Sequence, residues 1–304
     1  MFAKQMFDCP VPVDLTSFVA LRRALPRALI ALDYDGTLAP IVRDPADSRP
    51  QAGALNALLA LVPRVGQLVI ITGRPALFVV ETGGLARVPG LLVLGQYGAE
   101  RWQAGRLTTR LPLPGLQTAR AALVDLPAGA RLEDKGTALA VHTRQAADPA
   151  GLLLALRPQL EKLATATGLA CHLGRYVLEL RPPGDDKGRA LTALLRPLPS
   201  GVLYAGDDVG DLPAFTALDG LDGLDGLSGL DGLDSLDSLA GAAGPAVIGG
   251  VAGVAGAAAA GGQAVPVLRV CSDSAEAPAE LRERADLLVD GPAGVVALLE
   301  ALLS

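Results

Sequence analysis

Two aspartates separated by one residue, Asp33 and Asp35, follow the apolar run at residues 28–32. The apolar run predicts a buried strand, so the sequence places two carboxylates where a core strand ends. Charge beside a protein core is costly to bury, and a metal ion or a reaction is the simplest reason for it. We therefore interpret this motif as the start of a chemical site.

Three further motifs end in side chains suited to the same site. A second predicted strand, 67–71, is followed by the hydroxyl of Thr72, and Lys187 stands at the start of a predicted helix. A third strand, 202–206, leads into a cluster of carboxylates at Asp207, Asp208 and Asp211. Because ligands bind at the carboxyl ends of parallel strands, these groups should meet at one edge of a sheet. Together they suit transfer of a phosphoryl group to a carboxylate.

The order of these motifs resembles that of the haloacid dehalogenase superfamily of phosphohydrolases. The resemblance rests on Asp33-x-Asp35-Gly36-Thr37, then Thr72, then Lys187, then Asp207-Asp208-x-x-Asp211. It implies that Asp33 is the nucleophile and that Asp35 protonates the leaving oxygen and later activates water. It further implies that Thr72 donates a hydrogen bond to the phosphoryl group and that Lys187 neutralises charge.

The same resemblance implies a magnesium site. Only oxygen ligands are near the motifs, with no histidine or cysteine beside them, which favours Mg²⁺ over zinc. The expected ligands are Asp33, the backbone carbonyl of Asp35, and Asp207. Asp208 and Asp211 are expected around the waters of the ion.

Strand-like runs alternate with helical patterns over residues 28–111 and again over 187–303, which predicts a parallel α/β sheet built from two segments. Between them, two helices and two hairpins are predicted, with helices near 117–124 and 149–167 and strands at 130–133, 138–143, 169–173 and 176–181. This insertion resembles a C2-type cap. We predict a Rossmann-like core over 1–113 and 184–304, with a low-complexity loop at 217–244, and a smaller α/β cap over 114–183.

The insertion also carries the basis for a substrate prediction. Glu133-Asp134-Lys135-Gly136 and Leu178-Glu179-Leu180-Arg181-Pro182 resemble the trehalose-6-phosphate phosphatase family. The resemblance implies that Glu133, Lys135 and Glu179 hydrogen-bond sugar hydroxyls. Arg74 is placed with these substrate-facing residues, although holding the loop after Thr72 is the simpler role. The implied reaction is magnesium-dependent hydrolysis of trehalose 6-phosphate through an aspartyl-phosphate.

The chain departs from that family pattern at three positions. Tyr97 stands where the family usually has histidine, and Gly210 and Leu212 stand where it has threonine and glutamate. None is the expected nucleophile, acid or primary metal ligand, so turnover should survive, but the exact sugar stays open. The alternatives are a phosphatase for sucrose, mannosylglycerate or glucosylglycerol phosphate, a phosphomannomutase-like enzyme, and a sugar-phosphate-binding regulator without turnover. Asp33 and Asp35 argue against the regulator.

Composition limits the classes of partner and the cellular compartment that we expect for this chain. The 304 residues carry a formal charge of −6, which argues against nucleic acid as a partner. Cys9, Cys171 and Cys271 show no pairing or metal-ligand spacing, so a reduced, cytoplasmic setting is expected. The uncharged stretch 238–268 is rich in Gly and Ala and is broken by prolines, so we expect no membrane span.

We expect a monomer that binds a small phosphosugar. The repetitive Leu-Asp-Gly tract at 218–238 lacks the calcium-binding nonapeptide repeat and is interpreted as a surface loop.

Overall fold

The computed structural model describes residues 15–42, 44–174, 176–221, 264–275 and 277–304. From residue 222 onward, the Leu-Asp-Gly tract lies outside the described residues, as do Cys9 and most of the uncharged stretch 238–268. The interpretations of those segments therefore stay predictions.

The described residues form two sheets and the helices that cover them. The strands are β1 (Leu29–Leu32), β2 (Gln67–Ile71), β3 (Leu92–Gly95), β4 (Glu100–Gln103), β5 (Arg106–Thr109), β6 (Arg131–Asp134), β7 (Leu139–His142), β8 (Ala170–Gly174), β9 (Val177–Arg181), β10 (Val202–Gly206), β11 (Val267–Asp273) and β12 (Leu287–Asp290). The α-helices are α1 (Leu15–Ala24), α2 (Ala54–Leu61), α3 (Ala76–Thr82), α4 (Pro114–Ala122), α5 (Pro149–Thr167), α6 (Lys187–Thr192), α7 (Leu212–Asp219), α8 (Ala279–Arg284) and α9 (Gly291–Leu303).

The larger sheet has eight strands in the order β12-β11-β10-β1-β2-β3-β4-β5, and the six strands from β12 to β3 are parallel. Its central strand β1 is buried throughout, and alternate residues enter opposite core clusters: Ile30 and Leu32 face one, Leu29 and Ala31 the other. A strand covered on both faces needs a continuous apolar run, which explains why β1 consists of Leu-Ile-Ala-Leu without a polar residue.

The edge of this sheet differs from the parallel arrangement that the sequence predicts. Strands β4 and β5 are antiparallel to β3 and to each other. Only two residues, Ala104 and Gly105, join β4 to β5, and both have positive φ angles of 50° and 78°. A two-residue turn of this kind produces an antiparallel hairpin, because a parallel pair needs a long crossover.

The smaller sheet is antiparallel, in the order β6-β7-β9-β8, and has an apolar core of its own. Helices α4 and α5 pack on one face of it. The predicted helix over 149–167 is observed as α5. Asp148 is its N-cap residue, and the Asp148 side chain accepts a hydrogen bond from the backbone N–H of Gly151. It ends at Gly168, where φ is 68°. The predicted boundaries of this cap, at 113/114 and 183/184, remain predictions.

Two chain segments connect the cap with the larger sheet, and one ion pair joins them. Arg110, after β5, donates from Nη1 to Asp185 Oδ1 at 3.0 Å and from Nη2 to Oδ2 of the same carboxylate. Asp185, after β9, is 4% exposed. The buried carboxylate thus holds the outgoing and returning segments side by side. Within the described ranges, every helix is too short or too polar to cross a membrane.

Candidate active site

Asp33 lies directly after β1, at the carboxyl end of the larger sheet, and is 4% exposed. Its backbone N–H bonds to the Ala205 oxygen of the neighbouring strand at 2.9 Å, which fixes the chain as it leaves the sheet. Lys187 Nζ, also buried, lies 2.9 Å from Asp33 Oδ1. The predicted nucleophile and the predicted lysine are therefore in direct contact, although 154 residues separate them in sequence.

Asp211 holds that lysine in place. Its Oδ1 accepts hydrogen bonds from Lys187 Nζ at 2.7 Å and from the Tyr204 hydroxyl at 2.6 Å. Its Oδ2 accepts from the backbone N–H groups of Asp207 and Asp208 at 3.0 and 3.1 Å. Asp211 is fully buried, and both of its oxygens are committed within the protein. This set of contacts suits a positioning role.

The electrostatics of this group separate the two carboxylates. Burial raises the pKa of Asp33 well above its ordinary range, although Lys187 opposes the shift. Burial also acts to raise the pKa of Asp211, but Lys187 and the Tyr204 hydroxyl bring that pKa below its ordinary value. For Lys187, burial is outweighed by Asp211 and Asp33, so its pKa is raised. Lys187 is thus shared by Asp211 and Asp33, and its single positive charge does not balance both carboxylates.

A bound cation would supply the positive charge that these carboxylates lack. One oxygen each of Asp33, Asp207 and Asp211 lie within 4.8 Å of one another, the spacing of a metal-binding group. Among the described residues, Asp207 Oδ1 is buried and has no hydrogen-bond partner. Burial and the neighbouring Asp33 raise the pKa of Asp207 to about 10, which a bound cation would reverse. An all-oxygen donor set of this kind suits Mg²⁺.

Gly36 makes room for Asp207. A Cβ at residue 36 would lie 1.9 Å from Asp207 Oδ2, and the φ angle of Gly36 is 77°. Ser272 on β11 donates a hydrogen bond to the Gly36 oxygen at 2.7 Å, which fixes this loop against the sheet. The glycine of the first motif is therefore required by the carboxylate of the fourth.

Asp35 and Asp208 lie at the open side of the site. Asp35 accepts two hydrogen bonds from Arg74, Nε to Oδ2 at 2.5 Å and Nη2 to Oδ1 at 2.6 Å, and a third from Ser48 Oγ at 3.1 Å. Arg74 therefore contacts Asp35 directly. The side chain of Asp208 is 63% exposed and caps the backbone N–H of Gly210 at 2.8 Å.

Thr72 lies at the end of β2 and is 1% exposed. Its Oγ1 accepts from the backbone N–H of Arg74 at 3.1 Å, and its backbone oxygen accepts from the N–H of Tyr97 at 3.0 Å. The hydroxyl hydrogen is not used by either contact. Thr72 is thus the first residue of a loop, Thr72–Arg74, that reaches Asp35 on one side and Tyr97 on the other.

The cap faces this loop. Lys135 Nζ lies 3.5 Å from the Gly73 oxygen and donates to Glu179 Oε1 at 2.9 Å. Glu179 Oε2 accepts from the Tyr97 hydroxyl at 3.1 Å. Glu179 is buried, and the Lys135 side chain is only 13% exposed. Burial acts to lower the pKa of Lys135, but Glu179 and Tyr97 outweigh it. The pKa of Lys135 is therefore raised above its ordinary value, and the amine stays charged.

Glu133 lies on the same hairpin, and the side chain of His142 on β7 contacts it with 2.7 Å between Nε2 and Oε2. This contact lowers the pKa of Glu133 below its ordinary value. The lowered pKa keeps the carboxylate ionised, and the Glu133 side chain, 36% exposed, is open to a ligand.

Comparison with known proteins identifies the larger group. The trehalose-phosphatase family model matches residues 31–225, which hold all four motifs and the cap. The chain belongs to the trehalose-phosphatase family. A trehalose-phosphate phosphatase of Mycobacterium marinum is 34% identical over 211 residues, covering 64% of this chain and 52% of that protein. A trehalose-6-phosphate phosphatase of Escherichia coli is 32% identical over 197 residues, covering 62% of this chain and 72% of that protein.

A solved structure agrees with the fold. The C-terminal domain of trehalose-6-phosphate phosphatase from Candida albicans aligns with a TM-score of 0.68 and 20% identity, over 97% of each chain. The predicted fold class, a Rossmann-like core of the haloacid dehalogenase type with an added α/β unit, is confirmed. The chain spans about half the length of the mycobacterial relative and about 70% of the Escherichia coli one, so family membership alone does not fix its own activity.

Three residues that the structure places within this site have no role predicted from the sequence: Tyr97, Arg181 and Tyr204. Tyr204 lies two residues before Gly206 on β10, and the alternation of a strand could have placed it beside the aspartate cluster. Tyr97 was considered only as a departure from the family pattern. Arg181 stacks its guanidinium on the Tyr97 ring, 3.8 Å from the ring centroid. No local pattern indicates that contact, because it joins segments 84 residues apart.

Proposed function

We propose that this chain hydrolyses trehalose 6-phosphate to trehalose and inorganic phosphate, with Mg²⁺ bound at the strand-end carboxylates. The observation that carries the proposal is the placement of the cap pair Lys135 and Glu179 against the Thr72–Arg74 loop, where Lys135 Nζ lies 3.5 Å from the Gly73 oxygen. One end of a ligand would meet a phosphoryl-transfer site while its other end met hydrogen-bonding side chains. A phosphorylated sugar has that division.

The first chemical step is attack by Asp33 on phosphorus. One Asp33 carboxylate oxygen forms the new bond to phosphorus, and the bond from phosphorus to the sugar oxygen breaks. Asp35 gives its proton to that leaving oxygen, which departs as a hydroxyl. Lys187 and the hydroxyl of Thr72 stabilise negative charge on the phosphoryl oxygens. The contact of 2.9 Å between Lys187 Nζ and Asp33 Oδ1 supports this assignment.

The second step returns the enzyme to its starting state. Asp35, now ionised, takes a proton from water, whose oxygen attacks the phosphorus of the Asp33 phosphate. Cleavage of the bond between phosphorus and the Asp33 oxygen releases inorganic phosphate. Arg74 is bidentate on Asp35 in this structure, so we propose that it orients the acid/base carboxylate as well as bordering the substrate.

Asp33 and Asp207 would hold the cation together with the backbone carbonyl of Asp35. When bound, Mg²⁺ supplies positive charge to the phosphoryl group during transfer. The buried and unpartnered Asp207 Oδ1 supports this placement. We propose that Asp211 acts indirectly, by holding Lys187, and that the exposed Asp208 contacts waters around the ion.

A phosphate-release screen tests the proposal. Trehalose 6-phosphate, sucrose 6-phosphate, mannosylglycerate phosphate, glucosylglycerol phosphate and mannose 6-phosphate would each be incubated with the purified protein and Mg²⁺. We expect the highest kcat/KM for trehalose 6-phosphate and no activity after chelation. A higher value for another sugar phosphate would reassign the substrate, and isomerisation without phosphate release would indicate a mutase. Binding of sugar phosphate without release would indicate a regulator.

A further inference from the structure

Tyr97, which follows β3, contacts the Thr72–Arg74 loop of the larger sheet and two residues of the cap. Its backbone N–H bonds to the Thr72 oxygen at 3.0 Å, its hydroxyl donates to Glu179 of the cap at 3.1 Å, and Arg181 of the cap lies over its ring. A Cβ at residue 73 would lie 2.6 Å from the Tyr97 hydroxyl oxygen, so Gly73 leaves the space that the phenol occupies.

The backbone around Tyr97 is held in an uncommon conformation. Gln96 and Tyr97 have φ angles of 48° and 58°, in the left-handed region that side chains other than glycine rarely adopt. Gln96 contacts the cap as well, since Thr137 Oγ1 donates to its Oε1, while its Nε2 donates to Glu100 at 2.6 Å. Both strained residues therefore bond to the cap, and the strain is maintained where core and cap meet.

The hydroxyl of Tyr97 is a reliable donor. Burial, together with the charge of Glu179, raises its pKa to about 12, so the phenol stays protonated near neutral pH. Glu179 accepts from Lys135 on one oxygen and from Tyr97 on the other. Because a carboxylate can accept about four hydrogen bonds, these two contacts, with a longer one from Arg181 Nη1 to Oε2 at 3.5 Å, fix its orientation and leave an acceptor site for a ligand hydroxyl.

We propose that Tyr97 is a positioning residue that orients Glu179 toward a sugar hydroxyl and aligns the cap with the Thr72–Arg74 loop. This inference rests on the proposed sugar-phosphate activity and adds to it a residue that sets how the sugar end is read. Tyr97 acts through Glu179 and Arg181 and does not itself take part in phosphoryl transfer. The phenol of Tyr97 provides both a ring for Arg181 and a hydroxyl for Glu179.

Tyr97→Phe tests the proposal, because it keeps the ring under Arg181 and removes only the hydroxyl. We expect kcat/KM for trehalose 6-phosphate to fall roughly tenfold, mainly through a higher KM, since one hydrogen bond to a charged acceptor is lost. Hydrolysis of para-nitrophenyl phosphate, which carries no sugar hydroxyl for Glu179 to bind, should change less than about twofold. Measuring both substrates on one preparation cancels any difference in the active fraction.

A double-mutant cycle makes the test specific to Glu179. In a Glu179→Gln background, Tyr97→Phe should add less than about twofold, because the two residues act as one unit. Tyr176→Phe is the matched control: this tyrosine lines a surface groove of the cap with Leu154 and Leu173, and its change should leave both substrates unaffected. Additive losses in the cycle would contradict the proposal.

The remaining outcomes also decide the matter. Equal losses on both substrates would mean that Tyr97 supports the core, and no loss on either would mean that its hydroxyl positions nothing. If the wild-type protein releases phosphate only from another sugar phosphate, the proposed substrate has failed, and the same cycle on that sugar tests Tyr97 independently. Melting curves for each variant separate loss of fold from loss of positioning.

Discussion

The region proposed for phosphoryl transfer and the region proposed to face the sugar are built in different ways. The first places Asp33, Lys187 and Asp211 at the ends of core elements, and all three are at most 4% exposed. The second takes Glu133 and Lys135 from one hairpin, and the Glu133 side chain is 36% exposed. Phosphoryl transfer needs charge in a dry and rigid setting, whereas a sugar must enter and leave.

The two regions also differ in how their charges are balanced. In the core region, Lys187 is shared by Asp33 and Asp211, which leaves a net deficit of positive charge. In the cap, Glu179 is neutralised by Lys135 and lies 3.5 Å from Arg181. On the proposed function, the comparison indicates that a cation would balance the charge of the core region, whereas the cap carboxylate Glu179 is already paired with cations of the protein. Substitutions in the two regions should therefore impair activity in different ways.

The largest expected effect is that of Asp33→Asn, which should reduce phosphate release from every substrate to the limit of detection. The amide keeps the shape of the side chain but does not attack phosphorus. The fold should remain, as measured by circular dichroism and thermal melting, because burial of a neutral amide relieves the charge deficit. Near-normal turnover in the purified variant would remove Asp33 from the nucleophile role.

Asp35→Asn should be almost as inactive in the steady state but should differ in the first turnover. With para-nitrophenyl phosphate, whose leaving group needs no proton, Asp33 should still be phosphorylated, and hydrolysis of the intermediate should then stall. Rapid-mixing measurements should show a burst of about one equivalent of para-nitrophenolate per enzyme. Sustained release from trehalose 6-phosphate, a substrate with a poor leaving group, would show that Asp35 is not the acid/base.

The difference between the regions also explains what the sequence could predict. Asp33 and Asp207 each follow an apolar strand directly, so a local pattern locates them and the parallel topology brings them together. The contact of Tyr97 with Glu179 joins a core loop to a cap strand, 82 residues apart, and depends on how the two units pack. Likewise, the antiparallel hairpin of β4 and β5 follows from the turn at Ala104 and Gly105, which the helix–strand alternation does not reveal.

Changes in the cap should affect only substrates that carry a sugar. Alanine at Glu133, Lys135 or Glu179 should lower kcat/KM for trehalose 6-phosphate by roughly 1–3 kcal/mol, or about 5- to 150-fold, because a sugar hydroxyl loses its partner. Hydrolysis of para-nitrophenyl phosphate should barely change. Parallel kinetics on the two substrates provide the measurement.

Asp134→Asn on the same hairpin is the control for the cap series, because it keeps the side-chain oxygen that accepts a hydrogen bond from the backbone N–H of Gly136 at 2.9 Å. Its carboxylate pairs with Arg120 of α4, on the helix-covered face of the sheet, and both side chains are at least 35% exposed. An exposed pair of this kind contributes little to stability, so activity on both substrates should persist. Equal losses on both substrates at the cap positions would show that they support the core and do not read the sugar.

The charge deficit of the core region predicts a pH-dependent response to Mg²⁺. In metal-free protein the pKa of Asp207 is raised to about 10, above its value in the unfolded chain near 3.9. A raised pKa contributes stability below about pH 4, and that contribution is lost as pH rises toward 10. Because Mg²⁺ replaces the proton, the rise in Tm on adding Mg²⁺ should be greater at pH 8 than at pH 5.5. Each additional kcal/mol of unfolding free energy that Mg²⁺ binding contributes should raise Tm by roughly 2–4 °C.

Differential scanning fluorimetry with and without Mg²⁺ at the two pH values provides this measurement. Asp207→Asn is the control, since it removes the titrating group and a ligand, and its Tm should not respond to Mg²⁺ at either pH. The same rise in Tm at both pH values in the wild-type protein would contradict the assignment of Asp207 to the cation.

The smallest expected effect is that of deleting residues 222–238 from the Leu-Asp-Gly tract. Asp219 must be kept, because it bonds to Arg284 at 2.7 Å and to the buried Arg269 at 3.2 Å, and so ties the end of α7 to β11 and α8. With Asp219 retained, kcat/KM and Mg²⁺ affinity should stay within about twofold, since halving a loop changes its closure free energy by only about 0.6 kcal/mol. Asp219→Ala in the full chain is the comparison and should lower Tm while sparing catalysis. A deletion variant that folds but binds substrate or Mg²⁺ less tightly would show that the tract contributes to one of the two regions.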